Sequence, residues 1–105
     1  MRLTITQRHC EIPDDLRARA RELVARLVKV TRRPETAQVI FSEDHGAAAV
    51  ELRLHAGRGR LLVATSEGAD HRSALDRAAA RLRRQLDKTP RGAAARRRAA
   101  ARESA

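Results

Sequence analysis

Arg77, Arg81, Arg84 and Lys88 follow one another at intervals of three or four residues. On a helix such spacings place side chains above one another on one face, so the four cations would form a stripe. Arginine suits phosphate, because its planar fork grips two oxygens at once. The chemistry on offer is recognition of a polyanion. No carboxylate falls inside the stripe, and Asp76 and Asp87 only flank it, whereas helices stabilised by surface ion pairs usually alternate sign. The plain alternative is a solvated helix face, and spacing alone leaves both open.

A second group of cations lies nearer the N-terminus. Arg21, Lys29 and Arg32 fall on the polar side of an amphipathic segment, but Glu22 shares that side. Arg17, Arg19 and Arg26 sit at the edges of the apolar stripe, where long stems cover the core while the charged heads reach outward. Structural cover and contact with a nucleic acid are both open for these.

Other reactive side chains give no site. His9, Cys10, His45, His55 and His71 lack the short loop spacing of a zinc knuckle, and adjacent His9 and Cys10 would point to opposite faces of a strand. No metal or other cofactor is expected, and Cys10 reads as a small core residue. Gly57-Arg58-Gly59 fits a hairpin turn and no glycine-rich loop precedes a helix in phosphate-binding form. The acidic pairs Asp14-Asp15 and Glu43-Asp44 fall where helix starts and turns favour acids for local reasons. The chain does not read as an enzyme.

Composition supports the polyanion reading. Among 105 residues there are 23 Lys and Arg against 13 Asp and Glu, a net charge of +10. Residues 1–88 hold 18 of those cations and 12 of the anions, so the excess is not confined to the C-terminal stretch. A chain this basic binds polyanions at low salt. Phe41 is the sole aromatic, which counts against RNA modules that stack bases on exposed rings. One cysteine permits no internal disulfide, and no leader or membrane-spanning run is evident, so a cytoplasmic location is expected.

The elements that must position these cations are legible from periodicity. Arg2 to Arg8 alternates, with Leu3 and Ile5 on one face, as in a half-buried strand. Ile12-Pro13-Asp14-Asp15 opens a helix with apolar positions Leu16, Ala20, Leu23, Leu27 and Val30 and Val24 on the shoulder; Arg32-Arg33-Pro34 ends it. Thr36 to Ser42, Ala48 to His55 and Arg60 to Ser66 read as strands joined by turns at Glu43 to Gly46 and Ala56 to Gly59. A long helix follows from Asp70, its N-cap, to Lys88. Its core stripe is Leu75, Ala78, Ala79, Leu82 and Leu86, roughly opposite the basic one. The expected fold is α+β in the order β-α-β-β-β-α, a four-stranded sheet with two helices on one face. Residues 1–88 form the domain, and 89–105 are a basic, Ala/Arg-rich tail expected to be disordered.

Several of these pieces resemble the ribosome hibernation-promoting factor family, which includes the ribosome-associated inhibitor and the sigma-54 modulation proteins. The matching residues are Leu3-Thr4-Ile5-Thr6 leading into Glu11-Ile12, then Leu16-Arg17 and Arg26-Leu27. The most specific piece is Glu67-x-x-Asp70, followed by Ala74-Leu75-Asp76 and Leu82-x-Arg84-Gln85-Leu86-x-Lys88. The resemblance covers residues 1–88 and carries the same element order. It implies a non-enzymatic protein whose partner is the small ribosomal subunit. Its basic helices would face ribosomal RNA and occlude the messenger and transfer RNA sites, so that translation is inhibited. Residue by residue, it implies RNA contacts for Arg17, Arg26, Arg81, Arg84 and Lys88, which Arg77 joins through the stripe. Arg72 stands where relatives often carry an aromatic. The chain is too short to hold the ribosome-pairing domain of the long form, and its tail is basic where the inhibitor subtype is acidic. A general RNA-binding module, or a protein-interaction module that kept the fold, is the alternative.

Overall fold

The hydrophobic alternation of the strands and the two amphipathic stripes are realised together in the computed structural model, which describes residues 1–88. The order is β1 (Arg2–Arg8), α1 (Asp14–Lys29), β2 (Pro34–Asp44), β3 (Ala47–Ala56), β4 (Arg60–Gly68) and α2 (His71–Lys88). The sheet runs β1-β2-β3-β4 in space as in sequence. β1 pairs with β2 in parallel, which requires a crossover, and α1 supplies it. The other two pairs are antiparallel hairpins.

Register explains the layering. Leu3, Ala37, Leu54 and Leu62 form one row across the sheet, and Ile5, Val39, Leu52 and Ala64 form the next. Because side chains alternate along each strand, these rows share a face with Phe41 and Val50. That face packs against Leu16, Ala20, Val24 and Leu27 of α1 and Ala74, Leu75, Ala78, Leu82 and Leu86 of α2 in one core. Both helices therefore cover the same side. The other face carries Thr4, Gln38 and Arg53 in one row and Thr6, Ile40 and Glu51 in the next.

The turns carry their own chemistry. His45 and Gly46 both adopt positive φ, 51° and 81°, as a two-residue hairpin of the primed type demands. Thus β2 and β3 run further than their alternating cores imply, to Asp44 and from Ala47. Asp70 caps α2, its Oδ1 accepting the Ser73 amide at 2.7 Å.

Three expectations are corrected. α1 stops at Lys29, not at the proline; Val30 and Thr31 turn back onto the Leu27 and Val28 carbonyls, and Pro34 instead begins β2. Val30 is consequently 40% exposed and leaves the core, while Val24 is buried and Leu23 only half-buried. His9, with φ 57°, lies past the end of β1, so His9 and Cys10 are not neighbours on a strand. Cys10 packs partly against the core. The expected tail over 89–105 lies outside the described residues.

Candidate nucleic-acid interface

α2 lies beside β4, the last strand of the sheet, whose outer carbonyls have no strand partner. Arg77 donates from Nη1 to the Glu67 carbonyl at 3.0 Å, Arg81 donates from Nη1 to the Thr65 carbonyl, and Gln85 donates from Nε2 to the Val63 carbonyl at 2.7 Å. The pattern steps by four along the helix and by two, backwards, along the strand. Four helical residues rise about 6.0 Å and two strand residues about 6.7 Å, so an antiparallel helix and strand keep pace over three rungs. The basic stripe is thereby divided. Arg77 and Arg81, though exposed, are tied to the sheet edge, whereas Arg84 and Lys88 are exposed and make no ion pair among the described residues.

Each guanidinium tied to a carbonyl still keeps several outward N–H groups. Arg77 and Arg81 thus remain capable of meeting an anion, with their direction set by the strand. Gln85 belongs to the same series and was not singled out by charge. Its position one turn beyond Arg81 was the available signal.

On α1 the expected pair separates. Arg17 and Arg26 lie nine residues apart, a rotation of about 180° at 100° per residue, so they occupy opposite flanks. Arg17 is half-buried on the flank away from α2. Arg26 is exposed on the flank facing α2, where it lines a groove of about 380 Å³ between the helices with Arg19, Leu23, Leu27, Asp76, Ala79, Ala80 and Arg83. Across this groove Arg19 donates from Nε and Nη2 to Asp76 Oδ1, each at 3.3 Å. Arg83 pairs with Asp87 at 3.5 Å, one turn on. The helix layer therefore presents Arg26, Arg84 and Lys88, like Arg21, Lys29 and Arg72, as exposed cations without carboxylate partners among the described residues, and Arg84 and Lys88 are flanked by Arg77 and Arg81.

The start of α2 is fixed from two sides. His71 donates from Nε2 to the Ser42 carbonyl at 2.8 Å and meets Phe41 edge-on, ring centres 5.9 Å apart. That bond selects the Nε2–H tautomer. The Asp70 carboxyl is held below its ordinary value, chiefly by the backbone hydrogen bond from Ser73. These contacts orient the helix that carries most of the candidate cations. Among the described residues no group of His, Cys, Asp and Glu is arranged to hold a metal ion, and no helix is long and apolar enough to cross a membrane.

Comparison with solved structures gives the same fold. The N-terminal domain of Protein Y from Thermus thermophilus superposes with a TM-score of 0.71 at 30% identity, over 84% of this chain and 98% of that one. A ribosomal subunit interface protein from Coxiella burnetii superposes with a TM-score of 0.73 at 20% identity, over 84% and 96%. Comparison with curated proteins gives no match. The family described as sigma 54 modulation protein / S30EA ribosomal protein matches residues 3–91. That match spans both helices and every strand, and with it the chain belongs to the sigma 54 modulation protein / S30EA ribosomal protein family.

Proposed function

We propose that this protein is a ribosome hibernation factor: it binds the small ribosomal subunit through its helix layer and inhibits translation by occupying the messenger and transfer RNA sites. The observation that carries the reading is the set Arg26, Arg84 and Lys88, exposed cations without carboxylate partners among the described residues, on two helices held rigid by one core. Family membership and a structural relative named as a ribosomal subunit interface protein support the ribosome as partner. The contact would be electrostatic, made by arginine forks to phosphates, and therefore steeply salt-dependent. Arg77 and Arg81 join it through their outward N–H groups, and Arg17, on the far flank of α1, contributes only if RNA wraps that side. Nothing in this action needs catalysis or a cofactor.

The test is co-sedimentation of the protein with ribosomes at near-physiological salt, with bulk RNA as competitor. Saturation near one copy per small subunit, resistant to competitor and accompanied by inhibition of translation in vitro, is expected. A variant carrying Arg26→Glu, Arg84→Glu and Lys88→Glu should stay folded and lose roughly 100-fold or more in affinity, since three phosphate contacts become repulsions. Binding that bulk RNA strips away would instead identify a general RNA-binding module. Unchanged binding by the triple variant would place the contact elsewhere.

A further inference from the structure

The groove between α1 and α2 combines three properties that a simple packing seam does not need. Its floor is apolar and low, because Ala79 and Ala80 offer only methyl groups beside Leu23. Its volume, about 380 Å³, falls in the range of roughly 300–1,000 Å³ that small-molecule sites occupy. Its rim is cationic at Arg26, since of the other lining cations Arg19 pairs with Asp76 and Arg83 with Asp87.

Arg19 gives the groove its selectivity. Two N–H groups of its guanidinium go to one oxygen of Asp76, each at 3.3 Å, so the group is oriented across the groove and carries a carboxylate partner. A guanidinium already paired with a carboxylate has fewer N–H groups left for a phosphate but keeps its flat face, and unpaired RNA bases stack on arginine planes as well as on aromatic rings. The chain's sole aromatic, Phe41, is fully buried and unavailable for stacking. Arg26, exposed beside this plane and without a carboxylate partner among the described residues, supplies the phosphate contact.

We propose that the groove between α1 and α2 seats one unstacked nucleotide of an RNA strand, its base on the Arg19 plane and the alanine floor and its phosphate on Arg26. The proposal rests on the reading that the helix layer binds RNA, and it adds that the layer distinguishes an unpaired base from a bare phosphate chain.

The experiment compares two labelled heptamers by fluorescence anisotropy with the full chain at fixed salt, one an ordinary single-stranded RNA and one an abasic sugar–phosphate strand of equal charge. Wild type should bind the base-bearing strand roughly tenfold more tightly, a stacking increment of ordinary size. Ala80→Leu fills the groove from an exposed helix position and should bring the ratio near one while leaving the affinity for the abasic strand unchanged. Arg19→Lys keeps the charge but removes the plane, and should lower the ratio too. If Ala80→Leu disturbs folding, seen as a lowered melting temperature, Arg19→Lys decides. Equal binding of the two strands by wild type, or a ratio that survives in the folded variants, overturns the proposal. The two readings fail separately. Ribosome co-sedimentation with equal strand binding sinks the groove alone, and a tenfold ratio without ribosome binding leaves the groove and removes the ribosome.

Discussion

Arg81 on α2 and Thr65 on β4 are sixteen residues apart in sequence, and the guanidinium of the first donates to the main-chain carbonyl of the second. With Arg77 and Gln85 it covers a strand edge that would otherwise present acceptors to any other strand. Replacing all three by alanine should lower stability by roughly 1–3 kcal/mol, the sum of a few exposed hydrogen bonds. It should also make the protein self-associate as its concentration rises. Thermal unfolding and light scattering after size exclusion measure the two effects. A triple variant that stays monomeric at high concentration would show that the edge needs no cover.

Arg84 and Arg77 should differ in what their loss does. Arg84→Gln removes an exposed cation with no ion pair among the described residues, so melting should be unchanged while the dependence of RNA affinity on log salt becomes shallower by roughly one unit. Arg77→Gln should flatten the salt dependence less and lower the melting temperature slightly, because its tie to the Glu67 carbonyl is weakened. Binding isotherms at several salt concentrations separate them.

Asp70 predicts a pH dependence of definite sign. Hydrogen bonds from Ser73 favour its ionised form and depress its folded-state value. A depressed carboxylate stabilises the fold at pH values above its unfolded-state pKa, and this contribution disappears as pH falls through the folded-state value. Stability should therefore decline below about pH 4. Asp70→Asn keeps a capping oxygen and should lose that part of the decline, whereas Asp70→Ala removes the cap and should lower stability at neutral pH as well. Chemical denaturation between pH 7 and pH 3 checks both.

Leu27 and Leu23, one turn apart on α1, should respond unequally to truncation. Leu27 is buried and Leu23 is half-buried at the groove. Leu27→Ala should cost roughly 2–4 kcal/mol and Leu23→Ala no more than about half of that. Equal losses by denaturant unfolding would mean that Leu23 packs as deeply as Leu27.

The same two leucines show where the sequence speaks clearly and where it stops. Period-two alternation in β3 and the 3.6-residue stripe in α2 identify the buried faces, since burial must follow each element's own geometry. The Asp70 cap was equally legible, because its hydrogen bond is local. What periodicity leaves open is the azimuth of a helix against its neighbours. That angle put Val24 into the core ahead of Leu23, and it is fixed by contacts between elements distant in the chain. The basic stripe is a sharper instance. Its spacing was legible, but the division between Arg81 and Arg84 depends on β4 being the outermost strand, a fact of sheet order. The separation of Arg17 from Arg26 was available from their nine-residue offset. The pairing of Arg19 with Asp76 was not, since no local pattern links residues 57 positions apart.

The ladder between α2 and β4 works like a vernier. Its two scales, about 6.0 Å and about 6.7 Å per division, coincide near Arg81 and drift apart by a little under an ångström per rung. Three rungs fit within the reach of arginine and glutamine side chains, and a long ladder would not. A helix and a strand can therefore be fastened this way only over a short overlap. Within it, the count of residues matters more than their charge. One residue inserted between Arg77 and Arg81 would swing every later side chain about 100° around the axis and leave the scales with no common mark.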